Sequence, residues 1–226
     1  MCGRYMLTSP VEALRQLFMF EQRPNLMARY NIAPTQEVPI VRLTRDRAAR
    51  ELIMVRWGLV PFWADDLAIG NRLINARCET VHTARAFREA YGRRRCLVPA
   101  DGFFEWQKQG KLRQPFLIER KDRAPFAFAG LWERWRGADD AVVRSCTIIT
   151  CPANELVAPL HDRMPVILAP EAHAQWLDPN TDARGLLTPC PSAWLESYPV
   201  NPRVNSPKND DPDCIQPAVV QSTLAL

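Results

Sequence analysis

Apolar and polar residues alternate in short runs along most of this chain, and a helical period shows at only a few places. Val11, Leu14 and Phe18 share one helical face, which predicts a helix over about 10–19. Ser9 is placed as its N-cap, Pro10 at the first helical position, and Glu12 completes a capping box. Apolar runs at 38–43, 51–59, 95–100, 102–107 and 114–120 read as strands, with a hairpin turn at 108–111. Further strands are expected at 125–135, 145–150 and 164–169. A helix over 83–91 should close at Gly92, and another over 170–177 should stop at Pro179. The many prolines are expected at strand ends, where a missing N–H does least harm. Many short strands with a few short helices predict one α+β domain, its mixed, mostly antiparallel sheets curled into a barrel-like core. That domain is expected to span 1–216, with 217–226 as a frayed tail.

Composition narrows the class without choosing a function. A chain of 226 residues is one large domain or two small ones. With 47% hydrophobic and 24% charged residues, wholesale disorder is excluded. No apolar run reaches the length of a membrane span, and the opening Met1-Cys2-Gly3-Arg4-Tyr5 lacks a signal region, so a cytoplasmic protein is expected. The net charge of +4 fits any soluble enzyme. Arginine placement says more. One cluster is Arg42, Arg45, Arg47, Arg50 and Arg56; a second runs through Arg77, Arg85, Arg88 and Arg93 to Arg95. Guanidinium groups suit phosphate because their planar fork donates two hydrogen bonds, although each cluster alone also fits a solvated rim. The seven cysteines show no CxxC spacing, and no histidine lies close to Cys146 or Cys151, so no metal site is expected. Cys78, Cys96, Cys146 and Cys151 sit in or beside apolar segments and read as packing thiols.

Cys2 stands apart. Initiator methionine is commonly removed before a small residue, and the chain would then begin with a 1,2-aminothiol. The α-amine titrates at about 7.7–8.0, against about 10.4 for lysine, so much more of it is free base near neutral pH. It can form a Schiff base with an aldehyde, and the adjacent thiol can close on the imine carbon to give a thiazolidine, at high effective molarity. The same terminus could serve as an N-terminal nucleophile. On position alone, a buried small residue behind a retained Met1 is the ordinary reading. Asn75 and Arg77 share one face of an extended segment. Glu105 lies between aromatics, where an unpaired carboxylate has a raised pKa suited to acid–base work; a structural ion pair is the alternative. Among three histidines, His161 alone lies at a loop–strand junction among polar neighbours, while His82 and His173 read as surface or packing residues. Trp57, Trp63, Phe103, Phe104 and Trp106 are interleaved with arginines, a combination that single-strand binders use; Trp57, Trp132 and Trp176 are expected in the core.

Six segments in order, Met1-Cys2-Gly3-Arg4, Tyr30 to Pro34, Trp57-Gly58, Ile74 to Thr80, Ala100 to Trp106 and His161 to Pro165, resemble the SOS response-associated peptidase (SRAP) family of abasic-site processing proteins. The resemblance runs from residue 1 to about 210. It implies a single SRAP domain that binds abasic sites in single-stranded DNA and crosslinks to them through a thiazolidine at Cys2. It implies that Asn75 positions the reacting sugar and the terminus, and that Glu105 assists ring opening and Schiff-base formation. His161 is implied as a second proton-transfer group, linked to crosslink reversal and strand cleavage. Arg4, Arg77, Arg85 and Arg163 are implied as phosphate or site contacts, and Thr150 and Trp106 as pocket residues. The paired tryptophans of the family's wedging loop correspond here to Phe62-Trp63, on a stretch before Asn75 that is longer than the family's. No metal or organic cofactor is implied. The expected protein is a monomer in a bacterial-type cytoplasm, nucleoid-associated when bound to DNA, with no membrane partner. Two other activities remain open at this point: an N-terminal-nucleophile peptidase, self-cleaving or otherwise, and a non-covalent single-strand binder.

Overall fold

The computed structural model describes residues 2–110, 112–138 and 140–218. Strands β1 (Tyr5–Leu7) and β2 (Arg29–Ile32) flank helix α1 (Val11–Phe18). β3 (Glu37–Leu43) and β4 (Arg50–Trp57) form a hairpin, and β5 (Asn75–Arg77) follows a 3-10 segment, Leu67–Arg72. Helix α2 (Arg88–Arg93) leads into β6 (Arg95–Ala100), β7 (Gly102–Gln109), β8 (Leu112–Arg120), β9 (Phe126–Arg136) and β10 (Val142–Pro152). β11 (Arg163–Pro165) and β12 (Ile167–Leu168) precede α3 (His173–Leu177), and β13 (Leu195–Pro199) ends the series.

Five strands close on themselves. Their order is β10-β4-β3-β6-β9, and the pairing of β9 with β10 completes the ring. Closure leaves these strands no free edge. All the ring's ladders are antiparallel except β10 with β4. β6 is buried at all six positions, which explains why its sequence is a continuous apolar run. A second sheet, β13-β8-β7-β1-β2, is antiparallel throughout. It packs on the barrel through Tyr5 and Phe103, whose rings meet Phe128 edge-on at 5.8 and 6.1 Å. The opposite face of that sheet carries Met6, Phe104 and Leu117 into a smaller core with Val200, Val204 and Cys214. The α+β barrel expected from the pattern is the fold observed.

Several local expectations change. Ser9 does not cap α1. Its hydroxyl donates to Asp101 Oδ1 at 2.7 Å, and Pro10 is the N-cap residue without a side-chain bond. The buried Asp101 carboxylate gathers donors from Thr8 and Ser9 and outcompetes the local cap. The helix expected over 83–91 is a series of turns, followed by α2 at Arg88–Arg93 with Gly92 inside it. Gly92 lacks the positive φ that a glycine cap uses; among the described glycines only Gly58 and Gly110 have it. Pro39 and Pro99 lie inside strands, not at their ends. β3 pairs with β6 only at Val41 and Leu97, so Pro39 sits where that side of the ladder is open. Of the hairpin turn expected at 108–111, Lys108 and Gln109 belong to β7 and Gly110 is in the turn; residue 111 lies outside the described residues. Of the expected tail, Pro217 bridges Val200 and Ala218 donates to Pro199; residues 219–226 lie outside the described residues. Cys78 is half-buried, while the other packing thiols are buried.

His173 is 1% exposed and stacks on Phe18 at 5.5 Å. Burial lowers its pKa to about 4. The unfolded chain therefore binds a proton near the usual 6.5 that the fold refuses, and stability falls as pH drops through that window. Urea unfolding at pH 8 and pH 5 should show a loss in the parent that is roughly 2 kcal/mol larger than in His173→Leu. Equal losses in both proteins would reject this account.

Candidate functional site

The ladder of β1 places the chain's second residue. Tyr5 lies opposite Phe103 and Met6 opposite Gly102. The Phe104 N–H donates to the Arg4 carbonyl at 3.0 Å, so the pairing continues and brings residues 2 and 3 alongside Glu105. Asp101 locks this register, because its bonds to Thr8 and Ser9 tie the exit of β1 to the β6–β7 corner. Cys2 is fully buried in the main core. Burial, and then the charge of Glu105, push its thiol well above the usual thiol range. The resting sulfur is a neutral thiol.

Glu105 breaks the pattern of its own strand. Phe103 and Glu105 share one face of β7, and that face is buried. At 4% exposure, desolvation raises the carboxyl to about 7, so near neutral pH it is divided between acid and base. His161 follows a turn that Asn154 organises, its Oδ1 accepting from the Val157 N–H and its Nδ2 donating to the Cys190 carbonyl. The Arg163 N–H donates to His161 Nδ1 at 2.9 Å, which suits the neutral ring that burial favours. Asp162 Oδ1 stands 2.7 Å from the same nitrogen and suits the protonated ring. The imidazole thus has a partner in both protonation states, as a proton-transfer group requires. Glu105 and His161 line one cavity of about 710 Å³.

That cavity is the middle of a longer groove. His161 and Asp162 also line a cavity of about 560 Å³ with Arg77, Thr80 and Arg163. On the other side Trp106 and Arg113 are shared with a cavity of about 350 Å³ that reaches Arg4 and Asn205. Basic side chains therefore line the groove from end to end. Two of them are already engaged. Arg163 grips Glu79 with both terminal nitrogens, at 2.5 and 3.0 Å, and donates to the Thr150 carbonyl at 2.6 Å. That fork holds the Glu79 carboxyl down at about 2. Arg4 donates to Asn31 Oδ1 and the Val204 carbonyl, both at 2.8 Å, beside Trp106, whose indole N–H bonds Asn205 at 2.7 Å.

The remaining expected site residues are not groove-lining. Thr150 is buried, its hydroxyl directed at the Ala76 carbonyl and its backbone in register with Arg77. Asn75 donates to the Ile74 carbonyl, while its buried Oδ1 has no partner. Trp63 lies under the Arg85 guanidinium at 4.2 Å, next to an exposed Phe62. Their loop is pinned where the Trp135 indole donates to the Ala64 carbonyl at 2.6 Å. The sequence reading missed Lys108 and Arg113, which face each other across the β7–β8 hairpin and both line the groove. Period-two counting from Trp106 would have found Lys108. Glu79 was also missed, since its role depends on a partner 84 positions away.

Residues 1–207 match the family described as SOS response associated peptidase (SRAP). The chain is 41% identical over 224 residues to the abasic site processing protein YoqW of Bacillus subtilis, covering 96% of this chain and 99% of that one. It is 32% identical over 229 residues to the abasic site processing protein YedK of Escherichia coli, covering 96% and 100%. A crystal structure of a protein from Bacteroides thetaiotaomicron superposes with a TM-score of 0.84 at 27% identity, covering 96% of this chain and 100% of that one.

Proposed function

The chain belongs to the SOS response associated peptidase (SRAP) family, and on that premise we propose that it processes abasic sites in single-stranded DNA by forming a covalent crosslink through Cys2. The observation that carries this reading is the buried Glu105, its pKa near 7, held beside the chain's second residue at the centre of a cation-lined groove. The groove's arginines and lysine hold backbone phosphates. Glu105 moves the protons that open the deoxyribose to its aldehyde. With Met1 removed, the Cys2 amine adds to that aldehyde and water leaves, giving an imine. The thiol then adds across the C=N bond, its sulfur to carbon and its proton to nitrogen, and closes a thiazolidine. The raised thiol pKa favours this order, because the amine is the better nucleophile while the sulfur stays protonated. The unpartnered Asn75 Oδ1 is available to accept from a sugar hydroxyl or the amine. His161 serves as the second proton carrier.

An oligonucleotide with a natural abasic site should give a band that survives denaturant, whereas its tetrahydrofuran analogue, which has no aldehyde, should give none. Intact mass should match loss of Met1 and, after reaction, addition of the strand minus one water. A band with the analogue, or turnover of a peptide in trans without any band, would sink the proposal.

A further inference from the structure

A second concavity shares no lining residue with the groove. It has a volume of about 560 Å³ and is lined by twelve residues, of which seven are arginines and none is acidic. It collects the arginine cluster that the groove leaves unused. Arg42 comes from β3, Arg45 and Arg47 from the β3–β4 turn, and Arg134 and Arg144 from β9 and β10. Trp132, which the sequence pattern assigned to the core, is half-buried here under the Arg42 guanidinium at 4.0 Å.

Part of this charge is structural. Arg42 pairs with Glu51 at 2.9 Å, and Arg95 donates to the carbonyls of Tyr91, Trp176 and Thr181. Arg93 pairs with Glu89 at 3.6 Å. Arg45, Arg134 and Arg144 have no such explanation. Arg134 and Arg144 stand directly opposite each other across the antiparallel β9–β10 ladder. Like charges in that position are destabilising. No carboxylate among the described residues forms an ion pair with Arg45, Arg134 or Arg144. Facing cations that cost stability and lack counterions point to an anion supplied from outside.

We propose that this cavity is a second phosphate-binding site, which holds backbone phosphates of the DNA strand away from the lesion. A site for a small metabolite is mostly apolar with a few placed polar groups, whereas this one offers long cationic side chains that read charge and not shape. Arg144 and Pro152, the β10 partner of the groove residue Arg163, lie eight residues apart, about 26 Å at the strand rise, so one short segment does not fill both sites. The inference rests on the reading of the groove as a single-strand site.

The test compares the parent with Arg134→Gln/Arg144→Gln by fluorescence anisotropy. The probes are single strands of about 5 and about 20 nucleotides, spanning the range of known site sizes, each with a central tetrahydrofuran residue that cannot crosslink. The long strand should bind the variant about tenfold more weakly at about 0.1 M salt, and its log K against log salt should flatten by about 1.4, two phosphate contacts. The short strand should bind both proteins alike. An unchanged long strand, or an equal loss for both strands, overturns the proposal. So does loss of inorganic tripolyphosphate binding with the long strand unaffected, which would mark a free-anion site. A second variant, Arg45→Gln/Arg47→Gln, should repeat the length-dependent loss, and its failure to do so counts against the site even if the first variant misfolds. Crosslinking of a short natural abasic strand should be the same in parent and variants. If the parent itself forms no crosslink, the covalent reading fails, and the non-covalent length comparison still decides this one.

Discussion

Cys2→Ser should change the kind of adduct formed with an abasic strand, not merely its amount. The variant keeps the terminal amine, so it still forms an imine, but its hydroxyl is a far weaker partner for ring closure than a thiol. The adduct should vanish on denaturing gels and reappear when borohydride reduces the imine. The parent adduct should need no reduction. Residues fused ahead of Cys2 should abolish both adducts, because the amine becomes an amide. Serine is close in volume to cysteine, so the buried site should survive the change apart from the cost of one buried hydroxyl. A denaturant-stable band from Cys2→Ser without borohydride would place the covalent bond elsewhere.

Glu105→Gln should separate activity from stability. The loss of a positioned acid–base group is worth about 10²–10⁴ in the rate of crosslinking. Its pH profile gives the sign. The terminal amine must be free base, so the rate rises toward about 8. If the protonated Glu105 donates to the ring oxygen during opening, the parent rate levels off above about 7 and declines beyond about 8. The glutamine variant, slower throughout, should keep rising to about 8 and then stay flat. Stability should move the other way. The folded carboxyl titrates at about 7 and the unfolded one near 4.5, so the native state loses stability as pH rises between them. At pH 8 the glutamine variant should be more stable by on the order of 2–3 kcal/mol in urea unfolding. A variant both slower and less stable would mean that the carboxylate is a structural ion-pair partner. The buried charge is a local rule broken on an otherwise apolar face, which is where a functional residue is expected.

The parts of the site that were legible in the sequence are those whose chemistry needs no neighbour. Cys2 was visible by its position beside the initiator methionine, and Glu105 as a carboxylate inside an aromatic run. His161 was marked by its loop–strand junction, and the structure adds the two Nδ1 partners that make it usable. Arg163 and Arg4 were visible only as cations. Their pairing with Glu79 and Asn31 joins residues 84 and 27 positions apart, and no local pattern encodes such a meeting.

The same division holds for the fold. Periodicity placed the strands of the barrel and α1 and α3, because burial of one face imposes a repeat of two or 3.6 residues wherever a segment lies. It missed β1, β2 and β13, which are short and take their form from the strands beside them. It misplaced the cap of α1, because Asp101, distant in sequence, competes for Ser9. By itself the sequence determined an α+β chain with a cysteine at its second position and a carboxylate set among aromatics, since these follow from composition, period and covalent order. Only the tertiary structure decided that β1 lays Cys2 against Glu105, and that arginines from six segments meet in one cavity. Those are consequences of ring closure and strand register, which bring together residues that the chain itself keeps apart.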